Sequence, residues 1–183
     1  MSSGDRADRY DVLIAGGGLA GLCLAIELAR KVPDCSVLVA EKREGPAPFA
    51  AHKVGESSVE VASHYFREVL GVGDLLSHEL PKFGLRFLMS AGDNRDVSRR
   101  LECGPSHFLR VPSYQIDRGQ FENGLAHRTV ESGATLLTGC TVRSVDLGDG
   151  ELDHAVMLER HGVRREIRCR WLIDATGRSA LLK

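Results

Sequence analysis

Short apolar runs alternate with polar and glycine-rich stretches along this chain, and this pattern predicts an α/β fold. Residues 12–15 and 37–40 are apolar and rich in β-branched side chains, which is typical of buried strands of a parallel sheet. Residues 22–30 lie between these strands and have the composition of a helix. A second helix is predicted over residues 56–70, and a third begins at Asp117, a good N-cap residue. The order strand, helix, strand indicates a mainly parallel sheet.

Further short elements are predicted in the remainder of the chain. Extended segments cover residues 85–89 and 106–114, and a short helix precedes them at 74–79. His161-Gly162 suits the turn of a hairpin, so a small β meander should accompany the parallel sheet. The strands predicted after the third helix cover residues 134–137, 140–147, 156–159, 166–169 and 171–173.

A glycine motif joins the first strand to the first helix. Gly16, Gly18 and Gly21 have the spacing G-x-G-x-x-G, and Glu41 ends the next strand about 20 residues later. Gly16 permits the tight turn, Gly18 lets a pyrophosphate approach the backbone, and Gly21 lets the helix pack against the sheet. The helix N-terminus attracts phosphate, and a carboxylate at Glu41 accepts hydrogen bonds from ribose hydroxyls. The predicted dinucleotide-binding residues of this part are Gly16, Gly18, Leu19, Ala20, Gly21, Glu41 and Lys42.

Composition narrows the classes of partner and cofactor. The formal net charge of −1 gives no electrostatic reason to expect nucleic acid or an anionic membrane surface. The five cysteines are scattered without a C-x-x-C pair, so neither a metal site nor a disulfide framework is predicted, and a reducing cytoplasm is the expected compartment. Residues 12–29 imitate a membrane span or a signal peptide, but three consecutive glycines and Glu27 favour the nucleotide-binding interpretation.

Two more motifs join the glycine turn, and the three together point to one family. One is the Lys-Val-Gly-Glu-Ser segment at residues 53–57, and the other is the Asp-Ala-Thr-Gly-Arg-Ser segment at residues 174–179. This set resembles the FAD-dependent oxidoreductases of the p-hydroxybenzoate hydroxylase-like fold. Within them it looks most like the flavin-dependent halogenases of the tryptophan-halogenase-like group. The resemblance implies a Rossmann-like FAD-binding domain whose cofactor is FAD, present as FADH2 during turnover.

The resemblance also implies roles for residues in and beside the two added motifs. The Gly-Glu-Ser stretch would form a strap over the flavin ring, and the later glycine turn would be a second flavin-contacting segment. Local roles are open for the same residues: Ser57 as a helix N-cap, Asp174 as the cap of its turn, and Arg118 as an exposed first-turn residue. The residues implied to contact the cofactor are Gly55, Glu56, Ser57, Arg118, Asp174 and Gly177.

Lys82 is the predicted catalytic residue. It lies in a Lys-x-Gly-x-x-Phe segment that resembles the surroundings of the halogenase active-site lysine. In that family reduced FAD, oxygen and halide give hypohalous acid, and the lysine amine holds that acid or forms a haloamine beside an electron-rich aromatic substrate. The alternative interpretation of Lys82 is a surface lysine at a strand entrance, since unpaired lysines are seldom buried.

The expected protein is an oxidoreductase of which this chain is the N-terminal part. Residues 1–183 would form the FAD-binding domain of a larger two-region flavoprotein, and residues 80–115 would face a substrate region outside this chain. The W-x-W-x-I-P motif of halogenases is absent, and the single tryptophan, Trp171, belongs to the last strand. The resemblance implies a separate flavin reductase, a halide, and an aromatic substrate that is free or bound to a carrier protein.

Three other functions fit parts of the pattern. An FAD-dependent aromatic monooxygenase would use the same fold without needing a lysine at position 82. A flavin-dependent double-bond reductase is a related alternative. A nucleotide-binding module without chemistry, acting in regulation or assembly, is the alternative outside enzymology.

Overall fold

The chain divides into two compact units in the computed structural model, which describes residues 8–53, 55–90, 92, 94–149 and 153–183. The sheet unit comprises residues 1–51 and 118–183, and the inserted unit comprises residues 52–117. Val54, the second residue of the Lys-Val-Gly-Glu-Ser motif, lies outside the described residues.

The elements follow one another in chain order. They are β1 (Arg9–Ala15), α1 (Leu19–Lys31), β2 (Val37–Glu41), α2 (Glu60–His64) with a π-helical turn (Tyr65–Val69), a 3-10 helix (Gly73–His78), β3 (Leu80–Lys82), β4 (Phe87–Met89), a 3-10 helix (Val97–Arg99), β5 (Leu101–Cys103), β6 (Ser113–Gln115), α3 (Arg118–Glu131), β7 (Thr135–Thr138), β8 (Cys140–Asp146), β9 (His154–Arg160), β10 (Val163–Asp174) and a 3-10 helix (Gly177–Ser179).

The sheet unit is built on six strands in the order β7-β2-β1-β10-β9-β8. The pairs β7-β2, β2-β1 and β1-β10 are parallel, whereas β9 pairs antiparallel with both β10 and β8. The predicted α/β class, with a mainly parallel sheet and a small β meander, is therefore confirmed.

The parallel strands are apolar on both faces because both faces are covered. On one face, Leu13 and Leu38 pack into a core that is shared with the antiparallel strands β8, β9 and β10, the β meander. Val156 is fully buried in this core. The other face carries Ile14 and Val39 into a second core that includes side chains of α1. This double burial explains why β1 and β2 read as continuous apolar runs rather than as alternating ones. The parallel pairing of β1 with β2 places the carboxyl ends of both strands at one edge of the sheet.

The strands predicted at residues 166–169 and 171–173 form one strand. β10 runs for 12 residues, and its two halves have different partners. Residues 163–169 pair antiparallel with β9, and residues 168–174 pair parallel with β1, including Trp171 with Val12 and Asp174 with Ala15. The prediction of two separate strands was wrong, because the charged residues on the exposed face of β10 interrupt its apolar pattern.

The inserted unit holds two small sheets and a short helical segment. β3 pairs antiparallel with β6, and β4 pairs antiparallel with β5. Its buried apolar side chains are Phe66, Leu70, Val72, Leu76 and Ile116.

The helix predicted from residue 56 begins only at Glu60. Its N-cap is Val59, which has no side-chain capping hydrogen bond, so the interpretation of Ser57 as the N-cap was wrong. The preceding residues are extended because they pair with β6: Ser57 lies opposite Gln115. A partner distant in the sequence therefore overrides the local helical pattern.

Neither a membrane-spanning helix nor a metal cluster is found in the described part of the chain. No described helix has the length and apolar character needed to cross a bilayer. Among the same residues, no group of three or more His, Cys, Asp or Glu side chains is arranged to hold a metal ion.

Two buried thiols are expected to make the stability of the chain depend on alkaline pH. Burial raises the pKa of the Cys23 thiol from 9.0 to about 12 and that of Cys169 to about 11. Well below pH 9 both thiols are neutral in the folded and unfolded states. Above it only the unfolded chain ionises, so the free energy of unfolding should fall as pH rises towards the folded pKa values. Urea unfolding at about pH 7.5 and about pH 10 should show this fall, and Cys23→Ala should reduce it. An equal fall in parent and variant would contradict the assignment to Cys23.

Candidate functional site

The glycine turn lies at the carboxyl edge of the parallel strands. Gly16 has a positive φ of 109°, and its amide donates to the Ala40 carbonyl at 2.8 Å. A Cβ on Gly16 would lie 2.5 Å from the Ala175 carbonyl oxygen, and a Cβ on Gly21 would overlap the Gly16 carbonyl oxygen. Strand pairing of β1 with β10 therefore brings the first and third sequence motifs side by side.

Gly18 differs from its neighbours because nothing lies within 4 Å of the position its Cβ would occupy. It is the N-cap of α1 in extended conformation, with φ −84° and ψ −174°, and no side chain caps the helix there. The first turn of α1 carries no acidic residue. Open space in front of an uncapped helix N-terminus is a cradle for an anionic group.

The carboxylate of Glu41 is held by backbone amides on both of its oxygens. Oε2 accepts from the Gly17 amide at 2.7 Å, and Oε1 accepts from the Arg43 amide at 2.8 Å. Each carboxylate oxygen has a further lone pair, so these bonds orient Glu41 and still leave acceptor capacity for hydroxyl groups. The side chain thus ties the end of β2 to the glycine turn.

A buried acid joins two arginines behind this edge. Glu122 on α3 is 1% exposed, and its Oε1 lies 2.5 Å from Nη2 of Arg118, whose side chain is 13% exposed. Its Oε2 lies 3.9 Å from Nη1 of Arg43. The alternative interpretation of Arg118 as an exposed first-turn residue was wrong, because the ion pair with Glu122 draws its side chain inward.

A shallow cavity of about 210 Å³ opens beside Glu41, and we call it the β2 recess. Asn123 fixes one of its walls, since its side-chain amide exchanges hydrogen bonds with the amide and carbonyl of Ala47 at 2.7 and 3.0 Å. The recess combines apolar walls with one carboxylate and one guanidinium. Its lining residues are Gly17, Glu41, Arg43, Gly45, Pro46, Asn123, Ala126, Leu136 and Thr138.

The turn after β10 is organised by Asp174. Its Oδ1 accepts from the Thr176 amide at 3.0 Å and from the Thr176 hydroxyl at 2.5 Å, and its Oδ2 accepts from the Leu182 amide at 3.0 Å. The hydrogen bonds that Asp174 accepts lower the pKa of its carboxyl, and the one from the Thr176 hydroxyl has the largest effect. Gly177 has a φ of 64° and open space at its Cβ position. Asp174 therefore caps its turn, and its contact with a cofactor stays a prediction.

The remaining predicted residues of the sheet unit flank these groups. Leu19 and Ala20 form the first turn of α1, where Leu19 is half-buried and Ala20 is exposed. Lys42 is exposed. Their roles toward a cofactor stay predictions.

The inserted unit carries a second group of predicted residues. Nζ of Lys82 donates to the hydroxyl of Ser57 and, at 2.7 Å, to the carbonyl of Ser58. The side chain of Glu56 turns back and accepts from the Lys53 amide at 3.0 Å, while Gly55 is exposed with a φ of 89°. The structure thus brings the Gly-Glu-Ser motif and the lysine motif into direct contact.

Sequence reasoning missed Arg43, Glu122 and Asn123. A signal for Arg43 was present, since it stands two residues after the acid that ends β2. Glu122 and Asn123 gave no signal, because polar residues in a helix are ordinarily solvent-facing. Only the packing of α3 shows that they face inward.

A family described as FAD binding domain matches residues 9–182 of the chain. The chain belongs to this FAD-binding family. The prediction of FAD as the cofactor is confirmed, and so is the prediction of an FAD-binding domain.

Relatives of this FAD-binding chain include flavin-dependent halogenases. Flavin-dependent halogenase chlA of Dictyostelium discoideum is 28% identical over 94% of this chain and 32% of its own length. A Pseudomonas fluorescens chlorinase, whose name gives a 1H-pyrrole-2-carbonyl group on a peptidyl-carrier protein, is 27% identical over 94% of this chain and 40% of its own length. The solved structure of flavin-dependent brominase Bmp2 has a TM-score of 0.73 and 28% identity, covering 93% of this chain and 39% of that one. The chain spans about a third to two fifths of the length of these relatives.

The residues of the sheet unit fit FAD. The open cradle at Gly18 suits a pyrophosphate, which a Cβ would obstruct, and the uncapped α1 N-terminus supplies backbone donors. The oriented carboxylate of Glu41 suits the ribose hydroxyls, and the apolar walls of the β2 recess suit a nucleobase.

Replacing Glu41 by glutamine is expected to weaken FAD binding by about tenfold or more. The amide nitrogen would face either the Gly17 or the Arg43 backbone donor, so one hydrogen bond and one acceptor are lost. Flavin fluorescence titration of the full-length protein measures this affinity. Glu44→Gln, at a carboxylate that is 75% exposed, is the matched control and should bind FAD as the parent does. Equal affinities of Glu41→Gln and the parent would contradict the assignment.

Proposed function

We propose that this chain is the FAD-binding part of a flavin-dependent halogenase that modifies an electron-rich aromatic substrate. The contact between Lys82 and the Gly-Glu-Ser motif is the observation that carries the proposal. It joins the two segments that most resemble halogenases, in a chain of the FAD-binding family whose relatives include a chlorinase and a brominase.

The sheet unit holds the cofactor in this proposal. Gly18 and the N-terminus of α1 bind the pyrophosphate, and Glu41 binds the ribose hydroxyls. Arg118 and Arg43, both held by Glu122, add positive charge for the phosphates. When bound, FAD supplies the redox chemistry that turns oxygen and halide into hypohalous acid. The residues of this chain bind and orient it.

Lys82 holds hypohalous acid for the halogenation step. A donated N–H on the oxygen of the acid stabilises the leaving hydroxide while the aromatic carbon takes the halogen. The carbon–halogen bond forms, the oxygen–halogen bond breaks, and the ring proton leaves with the hydroxide as water. The halogen is reduced formally from +1 to −1 as the ring carbon is oxidised, so hypohalous acid is itself the oxidant and the step needs no other.

The surface of the inserted unit supports a substrate-facing role for residues 80–115. Large apolar side chains there are exposed, and the rings of Phe83 and Phe108 contact each other with centroids 5.1 Å apart and planes inclined by 51°. Contiguous exposed apolar surface marks a binding surface. We propose that it faces the substrate, which is a free aromatic or, as in the name of the pyrrole chlorinase, a carrier-bound one. A separate reductase would supply FADH2.

The proposed function is tested by trapping electrophilic bromine with a phenol and measuring the brominated phenol. The full-length protein is given reduced FAD, oxygen, bromide and an electron-rich phenol as a trap, with catalase present to remove free peroxide. Brominated phenol, identified by its isotope pattern in mass spectrometry, is the expected result. Hydroxylated phenol in its place would indicate the aromatic monooxygenase, and oxidation of flavin without any modified phenol would overturn the proposal.

A further inference from the structure

We infer that Ser57 is a positioning residue that aims the amine of Lys82. This inference rests on the proposed function and assigns Ser57 to the lysine rather than to the cofactor. A lysine ammonium carries three N–H donors. Two of them are taken by the Ser57 hydroxyl and the Ser58 carbonyl, and no described residue accepts the third. A single donor therefore remains, in a direction set by the other two.

Both acceptors are rigidly placed by β6. Ser57 lies opposite Gln115 in a β-bridge, and the Ser58 amide donates to the Tyr114 carbonyl at 2.8 Å. The buried hydroxyl of Ser58 accepts from the Tyr114 amide at 2.7 Å, which fixes the backbone again. Lys82 itself lies on β3, directly opposite Ser113 of β6. One short strand thus positions the lysine and both of its acceptors.

The two anchors are not equivalent. The Ser58 acceptor is a backbone carbonyl, which survives any side-chain substitution, whereas the Ser57 acceptor is a hydroxyl that alanine removes. A long lysine side chain with one anchor samples several rotamers, and each of them directs the remaining donor differently. The hydrogen bond to the Ser57 hydroxyl therefore restricts the remaining N–H donor of Lys82 to one direction.

Ser57→Ala is expected to separate flavin oxidation from halogenation. In the full-length protein, FADH2 oxidation and flavin fluorescence should match the parent, while brominated phenol per oxidised flavin should fall about two- to tenfold. Ser57→Thr keeps the hydroxyl and should restore the ratio. Ser77→Ala removes an exposed hydroxyl that donates to the Asp74 carbonyl, so it is the matched control and should match the parent.

A second readout is independent of turnover. Acetylation of Lys82, followed by peptide mass spectrometry relative to exposed Lys31, should be about two- to tenfold faster in Ser57→Ala because one hydrogen bond on Nζ is gone. Unchanged acetylation together with an unchanged product ratio would overturn the inference and leave the proposed function intact. Loss of FAD binding in both Ser57→Ala and Ser57→Thr would also overturn the inference, because it would assign Ser57 to the cofactor. No bromination by the parent would instead refute the proposed function, and the inference with it.

Discussion

Lys82→Ala in the full-length protein is expected to reduce brominated product by at least about 100-fold while oxidation of reduced FAD continues. Lys82 is the residue proposed to hold hypohalous acid, and alanine leaves no donor at that place. FAD binding involves the sheet unit in our proposal, so the flavin spectrum and the rate of flavin oxidation should stay close to those of the parent. Product from the phenol trap and flavin absorbance, followed in the same reaction, measure both quantities.

Two further variants serve as controls for the Lys82→Ala result. Lys31→Ala removes a lysine at the end of α1 that pairs with Glu27, and it should brominate as the parent does. Lys82→Arg keeps the positive charge but replaces a compact ammonium by a longer, planar guanidinium whose donors form a fixed fork, so it should not restore the parental yield. Bromination by Lys82→Ala at the parental rate would remove Lys82 from the reaction while leaving the assignment of the cofactor untouched.

Gly18→Ala is expected to weaken FAD binding roughly 10- to 100-fold without destabilising the fold. The backbone of Gly18 is extended with a negative φ, and an added Cβ meets no atom within 4 Å. Alanine is therefore compatible with the protein alone, but its methyl group occupies the place proposed for the pyrophosphate. Flavin fluorescence titration measures the affinity for FAD, and urea unfolding measures the stability of the fold. Both experiments start from the full-length protein without added FAD.

Gly21→Ala should have the opposite profile, because its Cβ would overlap the Gly16 carbonyl oxygen inside the protein. We expect unfolding at lower urea concentration, with a loss of about 1–3 kcal/mol in the free energy of unfolding. Gly148→Ala, in the connection between β8 and β9 and without a positive φ, is the control and should leave FAD affinity unchanged. A Gly18→Ala protein that binds FAD as tightly as the parent would place the pyrophosphate elsewhere.

Much of the sheet unit could be predicted because its signals are local. The strand, the glycine turn and helix α1 follow each other within a few dozen residues, and each is marked by apolar runs or by glycines that neighbouring atoms require. The errors fell where a distant partner decided the conformation. Ser57 was given a helix-capping alternative, yet β6 draws it into a bridge, and β10 was divided in two because its exposed face is charged.

The candidate site was predictable only in part for the same reason. Glu41 was recognised from its place at the end of a strand, but the buried position of Glu122 between two arginines depends on how α3 packs. No pattern in α3 marks that residue, since a charged side chain in a helix is ordinarily exposed.

The resemblance of three motifs to a known family indicated FAD. The sequence by itself determined the dinucleotide-binding glycine turn and identified the residues that could take part in binding or catalysis. These features depend on composition and on spacing over short distances, where backbone geometry leaves few alternatives. Only the tertiary structure decided which of these residues meet. Ala175 lies against Gly16, and Lys82 bonds to a serine 25 residues away, because strand order and register bring them together. Register is set by side chains burying apolar surface across the whole sheet, so it cannot be read from either segment alone.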